Sequence, residues 1–95
     1  MAVLRLDRFT VNPADTADLL ARHADLVTAA KDAFPGLIDV QLAQVDDRTW
    51  IDVWRWDTLA SAQAAVAGAP AIPQAGAAFA LAKDLTVEFA EMIDG

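Results

Sequence analysis

All three tryptophans of this chain fall within Trp50-Ile51-Asp52-Val53-Trp54-Arg55-Trp56, and all stand at even positions. A β-strand sends alternate side chains to opposite faces. A strand here therefore gathers Trp50, Asp52, Trp54 and Trp56 on one face and Ile51, Val53 and Arg55 on the other. An ordinary half-buried strand has one oily face and one polar face. This one is apolar on both, and its tryptophan face also carries a carboxylate. Such a face has to be covered, and the candidates are a second subunit or a ligand.

The flanking sequence supplies a partner strand. Leu37 to Val45 reads as a strand, Asp46-Asp47 as a tight turn, and Arg48 to Trp56 as the next strand. With Val45 and Arg48 flanking a two-residue turn, Ala43 faces Trp50, Gln41 faces Asp52, Asp39 faces Trp54 and Leu37 faces Trp56. Cross-strand partners share a face. Leu37, Asp39, Gln41, Trp50, Asp52, Trp54 and Trp56 then form one surface. Ile38, Val40, Leu42, Ile51 and Val53 form the other, the natural seat for helices. A four-residue loop keeps this pairing, whereas a three-residue loop breaks it.

The rest of the chain alternates between the two secondary-structure periods. Residues 2–11 are rich in β-formers, with Leu4 and Leu6 even but Phe9 and Val11 odd. Either both faces of this strand are buried or a bulge near Asp7-Arg8 shifts its phase. Asn12-Pro13 is turn chemistry and Asp15 can cap a helix. Leu19, Leu20, Leu26, Val27, Ala30 and Phe34 then recur on one helical face, and Pro35-Gly36 ends it. Asp57-Thr58 caps a second, alanine-rich helix from Leu59 to Ala67, which Gly68-Ala69-Pro70 ends. A short helical stretch runs from Ile72 to Ala82 with Pro73 in its first turn, and Leu85 to Met92 reads as a last strand.

The order is βαββαβ with an extra short helix. It predicts an α+β, ferredoxin-like domain spanning residues 1–95, a four-stranded antiparallel sheet with helices on one side. Such a sheet has an open face, and on the pairing above that face carries the tryptophans. A homodimer packed through the sheet faces would cover it and could leave a cavity between the layers.

Composition narrows the partners. The net charge of −7 argues against nucleic-acid binding and against docking on anionic lipid. The chain has no cysteine, so disulfides, thiolate catalysis and thiolate-ligated metal sites are excluded. The first residues are charged too early for a secretory signal, and no apolar run is long enough to span a bilayer. The expectation is a cytoplasmic protein.

Several local features together resemble the antibiotic biosynthesis monooxygenase family of dimeric α+β barrels, over nearly the whole chain. They are Phe9-Thr10-Val11-Asn12-Pro13 at the end of the first strand, Phe34-Pro35-Gly36, the Trp54 to Ala62 junction, and the last strand LTVEFAEMI. The resemblance implies a homodimer and a cofactor-independent monooxygenase that oxidises an aromatic, polyketide-like small molecule from anthrone or hydroquinone to quinone. Haem-degrading members have a tryptophan that matches Trp56, a histidine on the helix after it and an asparagine in the first strand. Here Ala64-Ala65-Val66-Ala67 occupies that helix, and Asn12 lies after the strand. The chain also lacks the tyrosines that quinone-forming members tend to use. No cofactor is implied.

In that setting Trp54, Trp56 and Trp50, with Gln41 and Leu37, are the candidate substrate-binding residues. They either wall a cavity for a flat aromatic ring or simply anchor a dimer interface. Asp39 and Asp52 are candidate bases: an enclosed carboxylate gains basicity and can take a phenolic or acidic carbon proton. The resulting substrate carbanion or enolate itself reduces oxygen, so the protein needs a base, a dry pocket and polar groups for the oxyanion. The lone histidine, His23, sits within the apolar stripe of the first helix. It is either a satisfied core residue or a general base opening into the cavity. Nothing in the spacing suggests a metal site.

Overall fold

The computed structural model describes residues 1–93. The chain runs through β1 (Val3–Thr10), α1 (Thr16–Ala33), β2 (Leu37–Gln44), β3 (Thr49–Trp56), α2 (Leu59–Gly68), α3 (Pro73–Phe79) and β4 (Lys83–Glu91). Single 3-10 turns, Pro13–Asp15 and Ala69–Ala71, lead into α1 and α3. All pairings are antiparallel and the strand order is β2-β3-β1-β4. This is the ferredoxin-like α+β arrangement expected from the element order. None of the described helices is long and apolar enough to cross a membrane.

Local chemistry explains the boundaries. Asn12 Oδ1 accepts the Ala14 N–H at 3.0 Å and opens the turn before α1. Asp15, the cap expected from sequence, makes no such bond. Phe34 is extended because a residue preceding proline is pushed out of the helical region, so α1 stops there. Thr58 accepts the Ser61 N–H at 3.1 Å and caps α2. Gly36 is required by close approach: a Cβ there would lie 2.5 Å from Ser61 Oγ and 2.7 Å from Asp57 Oδ1. Of the stripe expected on α1, Leu19, Leu26 and Ala30 are buried, while Leu20, about 100° round the helix from Leu19, is 49% exposed.

The hairpin register differs from the sequence expectation by one residue. Gln44 pairs with Trp50, Leu42 with Asp52 and Val40 with Trp54, and Val45 N–H bonds to the Thr49 carbonyl at 2.8 Å. Asp46 Oδ1 accepts both the Arg48 and Thr49 N–H groups, at 2.9 and 2.7 Å. That side-chain turn holds the three-residue loop Asp46-Asp47-Arg48 and moves the pairing. A bulge between Leu37 and Asp39 restores the expected Leu37–Trp56 pair at the far end.

A slip of one residue moves every side chain of a strand to the other face. Val40 and Leu42 therefore share the tryptophan face, and Asp39 and Gln41 join Ile51 and Val53 on the other. The tryptophan face is not the open one. Trp54 and Trp56 pack with Leu26 and Ala30 of α1, Ala62 and Ala65 of α2, and Ala75 and Ala78 of α3. The sheet's helix-free face carries Leu4, Leu6, Ile51, Val53, Asp39 and Gln41 instead.

On β1, Val3, Arg5, Asp7 and Phe9 stand opposite Trp56, Trp54, Asp52 and Trp50 in unbroken register. The imperfect alternation of this strand therefore reflects apolar residues on both faces. The phase irregularity expected near Asp7-Arg8 falls between Arg8 and Thr10, and only against β4. Two apolar clusters result. One surrounds Trp54 and Trp56; the other joins Phe9, Val11, Leu19 and Trp50. Between them, on adjacent strands, lie the two buried carboxylates Asp7 and Asp52.

Candidate functional site

A cleft opens between the sheet and the three helices. Trp54 and Trp56 of β3 and Arg5 and Asp7 of β1 form its floor. Leu26, Ala30 and Phe34 form one wall; Ala62, Ala65, Ala69, Ile72, Ala75 and Phe79 form the other. The small side chains of Ala62, Ala65 and Ala75, which share a cluster with the indoles, leave the space. The two indole rings are 6.3 Å apart and 12° from parallel, and the Phe34 ring meets Trp56 edge-on at 6.1 Å. Flat apolar walls of this kind suit an aromatic ligand. The cavity within the cleft is about 50 Å3.

The polar end of the cleft is a row of four side chains. Arg5 Nε donates to Asp7 Oδ1 at 2.8 Å. Asp7 faces Asp52 across the β1–β3 ladder. His23 Nε2 lies 3.0 and 2.9 Å from the two oxygens of Asp52. The imidazole also meets Trp54 edge-on at 6.2 Å. Burial pushes the Asp7 carboxyl above its ordinary range and the nearby Asp52 charge adds to this, while the bond from Arg5 opposes it. A smaller recess of about 20 Å3 lies behind, lined by Asp7, Asp52 and His23 together with Phe9, Leu19 and Ala78. Asp7 borders both spaces, so it is the carboxylate that a molecule in the cleft meets. Trp56, on the cleft floor, has its indole N–H buried with no acceptor among the described residues, so a ligand oxygen could use it.

The structure thus sorts the sequence-derived candidates. Trp54 and Trp56 line the cleft, and Asp52 and His23 come together at 2.9 Å. Leu37 packs on the Trp54–Trp56 cluster without lining the cleft, and Trp50 belongs to the other cluster. Asp39 and Gln41 are removed from the site by the register change and lie on the opposite sheet face. Arg5 and Asp7 are the residues that sequence reasoning missed. Their signal was present: an Arg-x-Asp spacing puts both on one face of β1, between Val3 and Phe9. Among the described residues, no three His, Asp or Glu side chains converge to hold a metal ion.

No family model and no curated protein matches the chain. Solved structures do. SnoaB, a cofactor-independent oxygenase from Streptomyces nogalater, is 22% identical and superposes with a TM-score of 0.74 over 99% of this chain and 95% of its own. A provisionally named antibiotic biosynthesis monooxygenase from Deinococcus radiodurans is 18% identical, with a TM-score of 0.79 over 98% and 94%. The haem degrader MhuD from Mycobacterium tuberculosis is 23% identical, with a TM-score of 0.73 over 98% and 97%. At these identities the likeness shows a shared fold: the chain has the fold of the antibiotic biosynthesis monooxygenase structures.

Proposed function

We propose that the chain is a cofactor-independent monooxygenase acting on a hydroxylated aromatic, polyketide-like molecule bound in the cleft between sheet and helices. The observation that carries this reading is a carboxylate, Asp7, set at the end of a cleft floored by parallel indoles. The similarity in fold to SnoaB supports it. Asp7 would act as the base, because burial raises its proton affinity and Trp54, Trp56 and Phe34 keep the surroundings dry. Asp52 stands across the ladder on β3 and is bonded in turn by His23 of α1. The substrate itself is the reductant: an activated CH2, through its enol tautomer, loses a proton to Asp7, the resulting carbanion adds oxygen, and loss of water leaves a carbonyl. CH2 and O2 thus give C=O and H2O.

Oxygen uptake by the purified protein with a panel of anthrones and hydroquinones tests this. Turnover abolished by Asp7→Asn is the expected result. No uptake above the uncatalysed rate with any of them would overturn it.

A second reading rests on the burial of Trp54 and Trp56, 7% and 3% exposed in the larger apolar cluster. On that reading they are structural anchors of a ligand-binding or non-catalytic protein, and ligands would bind without oxygen uptake. Either way, the helix-free sheet face with Leu4, Leu6, Ile51 and Val53 is suited to pack on a second copy. The expected homodimer is tested by sedimentation equilibrium.

A further inference from the structure

Arg5 is a cation set among aromatic rings. Its strand neighbours are Trp54 on β3 and Phe89 on β4. Its guanidinium carbon stands 6.0 Å from the centre of the Phe79 ring. The side chain is only 19% exposed, and its partner Asp7 is 3% exposed. The ion pair uses Nε alone. Neither terminal nitrogen of Arg5 makes a hydrogen bond within the described residues, and both belong to a side chain that lines the cleft. Arginine presents its donors as a planar fork, so a group held through Nε leaves the outer edge ready for a second oxygen.

A second permanent anion would suit this seat poorly. Asp7 already offsets Arg5, and Asp52 stands across the ladder. A neutral hydroxyl that becomes an anion only when Asp7 becomes neutral keeps the total charge of the row unchanged. We infer that Arg5 holds the oxyanion of the bound molecule: a phenol or enol O–H passes its proton to Asp7, and the resulting oxygen anion sits on the terminal nitrogens of Arg5. The O–H bond breaks, the carboxyl O–H of Asp7 forms, and the electron pair stays on the substrate oxygen. The cleft therefore selects aromatics by an ionisable hydroxyl, and methyl ethers of the same ring systems lose this interaction. This rests on the cleft being a small-molecule site, and it adds the residue that recognises the substrate's acidic group.

A nitronaphthol whose visible band moves on ionisation tests it without any turnover, with its methyl ether as control. At a pH below the free naphthol's pKa, binding should produce the naphtholate band, and the ether should bind with an unshifted spectrum. Arg5→Gln should still bind the ether but lower the bound naphtholate-to-naphthol ratio at least about tenfold, one pKa unit. Arg5→Lys, which retains the charge, should recover part of it. Calorimetry in buffers of different ionisation enthalpy locates the proton. The wild type should release none on binding the naphthol, and Asp7→Asn should release a proton to buffer. Naphthol and ether binding alike with unshifted spectra would overturn the role of Arg5 and leave the cleft as a ligand site. A proton released by the wild type would overturn the transfer to Asp7. Binding of neither compound would overturn the inference together with the cleft reading.

Discussion

Removing His23 should expose the cost of the buried acidic pair. The imidazole and the Asp52 carboxylate are 13% and 7% exposed, and Nε2 is shared between both carboxylate oxygens. That is one donor, so it counts as one hydrogen bond to a charged group, about 1.5–3 kcal/mol. His23→Leu also leaves the buried Asp52 beside Asp7 without that hydrogen bond, and orphaning a fully buried charged group costs about 3–5 kcal/mol. Because the histidine is partly exposed, the lower part of these ranges applies, about 2–3 kcal/mol. In a domain of this size that lowers Tm by roughly 10–20 °C. Asp52→Val should cost a similar amount. The double variant His23→Leu/Asp52→Val should cost less than the sum of the two by about 1–3 kcal/mol, because no orphaned group remains. Far-UV circular dichroism during urea unfolding is the assay, since Trp54 lies 6.2 Å from the imidazole and its fluorescence would change for local reasons. Protein concentration is held fixed so that any self-association contributes equally. Single losses that add within about 0.5 kcal/mol would refute the coupling.

Three further outcomes follow from other contacts. The raised Asp7 carboxyl means the native state holds its proton more tightly than the unfolded chain. Stability should therefore fall as pH rises above the ordinary value of 3.8 through the higher native value, and Asp7→Asn should flatten that fall in pH-dependent urea titrations. Gly36→Ala should cost about 1–3 kcal/mol by overpacking against Ser61, and adding Ser61→Gly should return part of it, read from urea midpoints. Ala69→Leu should fill the cleft beside Trp56. It should keep the fold with a Tm change of a few degrees, yet abolish the quenching of tryptophan fluorescence by aromatic ligands.

The sheet's composition was legible because β3 carries its message in the period of two: Trp50, Asp52, Trp54 and Trp56 share a face whatever surrounds them. The element order gave the topology for the same reason, since helical and strand periods alternate along the chain. The register of β2 was not legible. Asp46-Asp47-Arg48 suits a two-residue turn or a three-residue loop, and the choice is made by one carboxylate oxygen that accepts two N–H groups. That oxygen determines whether Asp39 and Gln41 or Val40 and Leu42 stand beside the tryptophans. The side on which the helices lie was equally hidden. Both faces of β1 and β3 are apolar, so pattern alone could not distinguish the helix-packed face from the open one.

The polar row is hard to explain as a device for stability. Arg5, Asp7, Asp52 and His23 interrupt what would otherwise be one continuous core running from Phe9 and Trp50 to Trp54 and Trp56. Well-packed apolar residues in place of buried ion pairs are often neutral or stabilising. The same chain fills its helix-facing positions with alanine where leucine would bury more area: Ala62, Ala65, Ala75 and Ala78 are all buried against the indoles. Each choice lowers the stability attainable from this sheet, and the two act at the same place. Small residues above the rings leave room, and the charged row sets its chemistry at one end. A fold optimised only to close a core would have done neither, so the two together support the proposal that this protein acts on the helix-covered side of the sheet and not at its open face.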